Sequence, residues 1–245
     1  QLYNPVKKDW SRVLFGALGL SLVVAPGLVE PGETLGVILP GIVEKTGLSS
    51  ETKVVTVGSH DTASAVAAVP AEPSSNFAYL SSGTWSLLGV EIDEPIITQL
   101  AREYNFTNEV GVFDTIRLLK NINGLWLVQE CRRVWQEEGN DWSYFDLAKM
   151  AAGAERLQSF IDPDDPRFAG RCDMPAEIAD YCRETGQIVP EGPAQILRLV
   201  TDSLALKVRF VLDRLEKLID RPIDILHIIG GGSQNDQLNM SISSS

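Results

Sequence analysis

The chain has 245 residues, 44% of them apolar, and 33 acidic against 21 basic side chains give it a net charge of −12. This is enough apolar material for one large domain or two small ones. The acidic balance, with no run of Lys and Arg, argues against a nucleic-acid partner, because binding a phosphate backbone requires clustered cations. Small anionic ligands are not excluded, since backbone N–H groups in glycine turns bind phosphate without net charge.

The cysteines are the next compositional marker. Cys131, Cys172 and Cys182 are odd in number and include no CxxC pair, so the sequence indicates neither a disulfide framework nor a zinc site. We therefore expect a reducing, cytoplasmic environment. The most apolar stretch, residues 13–24, is too short to span a bilayer, so we expect no membrane partner. Both ends look interrupted, and we expect a fragment with a frayed serine-rich tail over 240–245.

The first elements in chain order are a helix, a turn-rich segment and a strand. Apolar residues at helical spacing predict a helix over 9–20, ended before Pro26. Closely spaced Pro and Gly then predict turns with one short strand at 35–39. Three valines within 54–57 predict a buried central strand. A run of small helix formers over 63–69 predicts the helix that follows it.

The middle of the chain predicts a hairpin and an amphipathic helix. Two apolar runs, 77–80 and 85–92, flank a Ser-Ser-Gly-Thr centre that is typical of a hairpin. A further strand is predicted to end near Leu119. Apolar residues recur at helical spacing over 124–138, with charged residues on the other side. Residues 140–192 mix short helices with turns and show no recognisable chemistry.

The last third predicts the longest helix and a strand–turn–helix unit. Residues 193–219 keep a 3.6-residue period for about seven turns. A buried strand is predicted at 225–229 and a glycine turn at 230–232. Ser233 or Asn235 is then a plausible N-cap for a further helix. Strands and helices alternate without an internal repeat, which favours an α/β fold.

The stretch VVTVGSHDTASAV, residues 54–66, places a histidine and a carboxylate where an apolar strand ends. Asp is a preferred N-cap, so Asp61 is explained equally well as the start of the next helix. Ligands of open α/β sheets, however, bind beyond the carboxyl ends of strands. A carboxylate there can accept the proton of an attacking hydroxyl. His60 is then either an ordinary hydrogen-bonding residue or a contact for a substrate hydroxyl.

Two glycine turns are further candidates. SSGTWS, residues 81–86, is an ordinary turn by composition, but Gly83 would let a phosphate approach the backbone while Thr84 donates a hydrogen bond. GGG at 230–232 is equally ambiguous, since it follows a strand and could expose backbone to a nucleotide. It lacks the spacing of the dinucleotide fingerprint and of the P-loop.

Asn121 and Gln129 flank the predicted junction between a strand and the helix after it. By themselves both are ordinary polar surface. Neutral amides are also the groups with which a site reads sugar hydroxyls or a nucleotide without adding charge. The sequence shows no metal-ligand cluster and no Ser/His/Asp order that predicts a hydrolase.

Four segments together, GSHDTASAV, AYLSSGTWSLLG, LLKNINGLWLVQE and LHIIGGGSQN, resemble in this order and spacing the C-terminal half of the FGGY carbohydrate kinases, in particular the kinases of rhamnulose. The resemblance runs from about Trp10 to Asn239. It implies an actin-like ATPase or ribonuclease-H-like lobe, with a mixed sheet flanked by helices. It also implies that residues 1–50 form a connecting helix and turn-rich segment, and that residues 51–239 form an incomplete nucleotide-binding lobe.

The same resemblance implies an activity, which is transfer of the γ-phosphoryl group of ATP, with Mg²⁺, to O1 of the sugar L-rhamnulose. By this analogy Asp61 is the proton acceptor and also contacts the sugar. The other implied contacts are His60, Thr62 and Asn121 for the sugar, and Thr84, Gln129 and Gly231 for ATP. The implied partners are the sugar, ATP and a missing N-terminal lobe of the same enzyme, so we expect the fragment alone to be inactive.

Three alternatives stand beside this interpretation. The first is another FGGY kinase, with L-fuculose kinases the nearest. The second is a non-catalytic actin-like nucleotide-binding domain, which would not need the set of His60, Asp61 and Asn121. The third, a dinucleotide-binding oxidoreductase, is disfavoured because no GxGxxG follows Val57.

Overall fold

The computed structural model describes residues 2–58, 60–72 and 75–245. Its contacts group the chain into two compact units. The first unit comprises Gln1–Pro70, Glu91–Ile97 and Thr107–Leu118, and the second comprises Ala71–Val90, Thr98–Phe106 and Leu119–Ser245. No helix among the described residues combines the length and the apolar character that crossing a membrane requires.

The secondary structure alternates throughout the chain. The helices are α1 Arg12–Ala17, α2 Pro40–Thr46, α3 Asp61–Ala67, α4 Gln99–Glu103, α5 Trp126–Glu137, α6 Tyr144–Gly153, α7 Met174–Glu184, α8 Gly192–Ile219 and α9 Asp236–Ser243. The strands are β1 Tyr3–Asn4, β2 Asp9–Trp10, β3 Thr34–Val37, β4 Lys53–Val55, β5 Phe77–Ser82, β6 Trp85–Ile92, β7 Thr107–Val110, β8 Ile116–Asn123 and β9 Ile225–Ile229.

The first unit begins with a short strand pair and a short helix. The predicted helix over 9–20 is shorter in the structure, because β2 pairs antiparallel with β1 and the side chain of Ser11 caps the N-terminus of α1. Gly19 then takes a φ of +66°, which ends the helix at a conformation that glycine adopts without strain. Phe15 is buried and packs edge-on against Trp10.

The strand β4 differs from its prediction. The sequence predicted a buried central strand over 54–57, and this prediction is wrong, because Val54 and Val55 are 42% and 48% exposed. Strand β4 pairs antiparallel with β3 in a two-stranded sheet. A valine run indicates a strand but does not tell a covered sheet from an uncovered one. The predicted domain boundary between residues 50 and 51 stays a prediction.

The main sheet has five strands in the order β7-β8-β6-β5-β9. The predicted hairpin is confirmed, with β5 and β6 paired antiparallel around Gly83 and Thr84. Strand β9 runs parallel to β5, with Phe77 opposite Ile225, so the sheet is mixed. Strand β9 has the predicted bounds but lies at the sheet edge, and Ile225 is 43% exposed rather than buried.

The long helix α8 supplies much of the core of the second unit. It is confirmed over its whole predicted range and begins one residue earlier, and it packs against α6 and α9. Val200, Val211 and Leu215 on its inner side are fully buried. Asn235 caps α9 by accepting from the N–H of Leu238. The tail that was expected to fray is helical as far as Ser243, because Ile242 is buried against the preceding structure.

Candidate functional site

The segment His60–Asp61–Thr62 lies at the start of α3 in the first unit. His60 is the N-cap and Asp61 the first helical residue of α3. The observed cap thus lies one residue before Asp61, and the helix begins two residues before the predicted range of 63–69. The N–H of Thr62 lies 2.9 Å from Oδ1 of Asp61 and 3.2 Å from Nδ1 of His60. The adjoining Ser59 is outside the described residues.

The carboxylate of Asp61 is held at one oxygen. Oδ1 accepts from the N–H of Thr62, and it lies 2.9 Å from Nδ1 of His60, which accepts from the same N–H. No described residue donates to Oδ2, and the side chain is 96% exposed. An oriented carboxylate with one open oxygen can accept a proton from a hydroxyl that approaches it.

Thr62 itself is buried, with 6% of its surface exposed. Its backbone N–H donates to Oδ1 of Asp61 and thereby orients that carboxylate. The sugar contact expected for its side chain stays a prediction.

In the second unit, Thr84 and Gln129 come together. Thr84 follows the β5 strand in the hairpin turn, and Gln129 lies in the first turn of α5. Nε2 of Gln129 donates to Oγ1 of Thr84 over 3.0 Å. Because that oxygen already accepts a hydrogen bond, the threonine can direct its own O–H towards an incoming acceptor. Two of the three residues expected to contact ATP are thus neighbours on an exposed surface.

The hairpin turn is fixed from behind by the loop between β8 and α5. The N–H of Leu125 donates to the carbonyl of Gly83 over 2.9 Å, and the N–H groups of Gly124 and Trp126 donate to the carbonyl of Thr84. A Cβ on Gly124 would lie 2.5 Å from the carbonyl oxygen of Gly83. Only glycine permits this close approach, so the turn is preorganised by backbone contacts.

The triple-glycine turn lies beside the end of β5. Gly230 has a φ of +83°, and a Cβ on it would lie 2.8 Å from the carbonyl oxygen of Ser82. A Cβ on Gly232 would lie 2.1 Å from Oγ of the same serine. Gly231 between them has no heavy atom within 4 Å of the place where a Cβ would stand. The backbone of the expected nucleotide contact is therefore open.

Asn121 lies within β8 rather than at the end of a strand. The strand runs to Asn123, four residues beyond the predicted end near Leu119, and Asn121 is its one exposed position in an otherwise buried strand. Its expected sugar contact stays a prediction.

Sequence reasoning missed Ser82 and Gly124. The only available signal was that each adjoins a residue already singled out, Gly83 in one case and the loop before Gln129 in the other.

The donor set fits a nucleotide better than it fits a metal ion. An exposed threonine hydroxyl, a side-chain amide and an open glycine backbone are groups that bind phosphate and ribose oxygens. Among the described residues, no group of three or more His, Cys, Asp or Glu side chains could hold a metal ion. We therefore assign no ligand to Mg²⁺ and derive no step through it.

Comparison with known sequences matches about two thirds of the chain to one family. Residues 78–244 match the model of the FGGY family of carbohydrate kinases, C-terminal domain. Over 98% of its length the chain is 50% identical to a rhamnulokinase of Bacteroides thetaiotaomicron and 43% identical to a rhamnulokinase of Enterococcus faecalis. The matched region is 48% of each relative. The chain thus spans about half the length of these curated relatives.

Comparison with solved structures shows the fold. A xylulose kinase from Rhodospirillum rubrum superposes with a TM-score of 0.67 at 15% identity, over 97% of this chain and 46% of that one. A glycerol kinase of Plasmodium falciparum, solved with ADP, superposes with a TM-score of 0.67 at 13% identity, over 99% of this chain and 47% of that one. The fold class is confirmed as the expected actin-like or ribonuclease-H-like lobe, with a mixed sheet flanked by helices.

Proposed function

The chain belongs to the FGGY family of carbohydrate kinases, and from this premise we propose that it forms the C-terminal half of a kinase that transfers the γ-phosphoryl group of ATP to O1 of L-rhamnulose. The sugar is suggested by the two rhamnulokinases that it matches over nearly its whole length. The structural observation that carries the chemistry is the Asp61 carboxylate, held at one oxygen and open at the other.

In this proposal Asp61 receives the proton of the sugar's O1 hydroxyl. The transition state of phosphoryl transfer is loose, so the base needs only to orient the hydroxyl and take its proton late. The N–H of Thr62 orients the carboxylate, and His60 and Thr62 contact the sugar. The sugar contact of Asn121, in the second unit, is a separate prediction. ATP supplies the phosphoryl group. Thr84 donates its hydroxyl hydrogen to an oxygen of the nucleotide, Gln129 fixes that hydroxyl, and Gly231 offers open backbone.

Productive transfer needs more than the groups in this chain. The chain spans about half the length of its curated relatives, and the remainder would contribute further phosphate and sugar contacts. Closure of a kinase around its substrates excludes water and limits hydrolysis of ATP. We therefore propose that the remaining half of the enzyme is a required partner, and that the chain alone does not turn over at a useful rate.

The test joins this chain to the part of the Bacteroides relative that it does not match. Asp61→Asn in this chimera should reduce rhamnulose-dependent ADP formation by at least about a hundredfold, the scale of general base catalysis. The dissociation constant for ADP should stay unchanged. Glu51→Gln, which neutralises an exposed carboxylate of the same unit, is the matched control. Turnover near that of the unmodified chimera in Asp61→Asn would refute the role.

The same assay separates the alternatives. Rates with L-rhamnulose, L-fuculose and no sugar should rank in that order, because the proposal assigns the site to rhamnulose. A higher kcat/KM for fuculose would instead identify another kinase of the family. Nucleotide binding without any sugar-dependent ADP formation would favour the non-catalytic nucleotide-binding domain.

A further inference from the structure

We propose that Ser82 is a positioning residue for the nucleotide, because its side chain and carbonyl group hold the turn of Gly230–Gly232 in the shape that leaves Gly231 open. The inference rests on the proposed contact between Gly231 and ATP, and it adds the residue that sets the geometry of that contact.

The first line of support is the pattern of close contacts along the turn. The outer glycines both meet Ser82, Gly230 at its carbonyl oxygen and Gly232 at its side chain. A Cβ on Gly232 would stand 2.1 Å from Oγ and 2.8 Å from Cβ of Ser82, distances that real carbon atoms do not reach. The middle glycine meets nothing within 4 Å. The first and last glycines of the turn therefore pack against Ser82, and the middle glycine does not.

The second line of support is the sheet register that brings the serine there. Strands β5 and β9 pair in parallel from Phe77 opposite Ile225 as far as Ser81 opposite Ile229. The next residue of each strand is Ser82 on one side and Gly230 on the other. The register thus delivers the serine to the turn, and Ser82 is 1% exposed in that position.

The third line of support shows that shape, rather than hydrogen bonding, is what the serine contributes. Its Oγ is buried and has no hydrogen-bond partner in the described part of the chain. A cavity of about 10 Å³ adjoins it, lined also by Ser86, Leu204 and Val208. This is at the lower limit for one water molecule. Because no protein bond is lost when the hydroxyl is removed, Ser82→Ala should cost little stability.

A compensating swap tests the proposal. Gly232→Ala should weaken binding of ADP to the chain by about tenfold or more, since the new methyl group displaces the turn from the serine. The double variant Ser82→Gly with Gly232→Ala removes the opposing Oγ and Cβ and leaves the carbonyl oxygen of residue 82, 3.0 Å from the new methyl group, as the remaining close contact. It should bind ADP within about threefold of Ser82→Gly alone. Binding is measured by calorimetry, together with the melting temperature of each variant.

Two control variants make the test specific. Ser82→Ala with Gly232→Ala should stay weak, because the serine Cβ that lies 2.8 Å away is retained. Gly230→Ala should not be rescued by Ser82→Gly, since it meets the backbone carbonyl and requires a φ of +83°. If Gly232→Ala binds ADP as the unmodified chain does, or if Ser82→Ala rescues it as well as Ser82→Gly, the proposal is overturned.

Hydrogen exchange separates failure of this inference from failure of the proposed function. The N–H groups of Ser233 and Asn235 donate to the carbonyls of Gly230 and Gly232. Their exchange should accelerate in Gly232→Ala and slow again in the double variant with Ser82→Gly. If the unmodified chain binds no ADP, the nucleotide role fails, and this exchange pattern alone decides whether Ser82 positions the turn. Unchanged exchange in Gly232→Ala would overturn the proposal.

Discussion

Thr84 uses its hydroxyl oxygen as an acceptor for Gln129, and this leaves its hydrogen for a ligand. A valine at position 84 would lack this hydroxyl group, whereas a serine would keep it. We expect Thr84→Val to weaken ADP binding by roughly tenfold, the scale of one hydrogen bond to a charged group, and Thr84→Ser to change it far less. Calorimetry on the chain measures both constants. Equal losses in the two variants would show that the hydroxyl contacts no nucleotide.

Single residues also show how far sequence reasoning reaches. The sequence predicted Asp61 as a helix start or a substrate contact, and the structure places it in the first turn of α3. Its contact with a substrate stays a prediction. Ser82 was not recognisable, since its contact with Gly232 depends on the parallel register of β5 and β9. No local pattern encodes the pairing of two strands so far apart in the chain.

Among the elements, α8 carries a buried ion pair. Nε and Nη2 of Arg198 donate to the two carboxylate oxygens of Asp202 over 3.0 and 2.6 Å, and the two side chains are 4% and 2% exposed. The N–H of Leu157 donates to the same carboxylate over 2.8 Å. The pair thus joins the helix to the loop after α6.

We expect Asp202→Asn to lower the free energy of unfolding by about 3–5 kcal/mol, because it leaves a buried guanidinium without a counter-charge. Asp213→Asn breaks the exposed pair Arg209–Asp213 at the same spacing on the same helix, and it should cost less than about 1 kcal/mol. Urea denaturation compares the two variants. A loss for Asp202→Asn as small as that of the control would show that the buried pair does not stabilise the fold.

Lys207 of α8 binds the loop at Asp162 and Asp164, with Nζ 2.7 and 2.9 Å from their carboxylates. Burial acts to raise the pKa of Asp162, but hydrogen bonds from Lys207 and from the N–H of Asp164 outweigh it and hold the pKa below its ordinary value. Burial likewise acts to lower the pKa of Lys207, but the hydrogen bonds to Asp162 and Asp164 raise it above its ordinary value.

These two shifts give opposite limbs of a pH profile. The contribution of Asp162 to the free energy of unfolding is present above its unfolded-state pKa of about 4. It is lost as the pH falls through the lower pKa of the folded state. The contribution of Lys207 to the free energy of unfolding is complete below its unfolded-state pKa of about 10. It is lost as the pH rises through the higher pKa of the folded state. We expect Lys207→Met to flatten both limbs in denaturation measured from pH 3 to 11. A profile parallel to that of the unmodified chain would contradict the assignment.

Element type was predictable wherever the sequence period was long. The 3.6-residue period fixed α8 to within one residue at its start, and the paired apolar runs fixed the hairpin of β5 and β6. Burial was less predictable. The sequence placed both β4 and β9 in an interior, whereas β4 belongs to a two-stranded sheet and β9 to a sheet edge. The number of neighbours that a strand has depends on the whole topology and not on its own residues.

At the scale of the whole molecule, the two units differ in how many apolar side chains they leave exposed. The second unit buries most of them around α8 and the main sheet, whereas the first unit leaves many exposed, including Val13 at 81% and Val23 at 92%. Further exposed apolar residues of the first unit are Leu18, Leu28, Leu35, Leu39, Ile42 and Val57. We expect a partner to cover part of this surface, since large exposed apolar patches mark interaction sites.

The proposed function supplies that partner as the remaining half of the enzyme. We expect the chain alone to bind the dye anilinonaphthalene sulfonate with strong fluorescence, since the dye reports exposed apolar surface. The chimera with the other half of the Bacteroides relative should bind markedly less dye per mole, because its added half covers the first unit. A matched variant of the isolated chain, Val13→Ser with Val23→Ser, should bind less dye at an unchanged melting temperature, as neither side chain is buried. Dye binding in the chimera equal to that of the isolated chain would show that the added half leaves this surface uncovered.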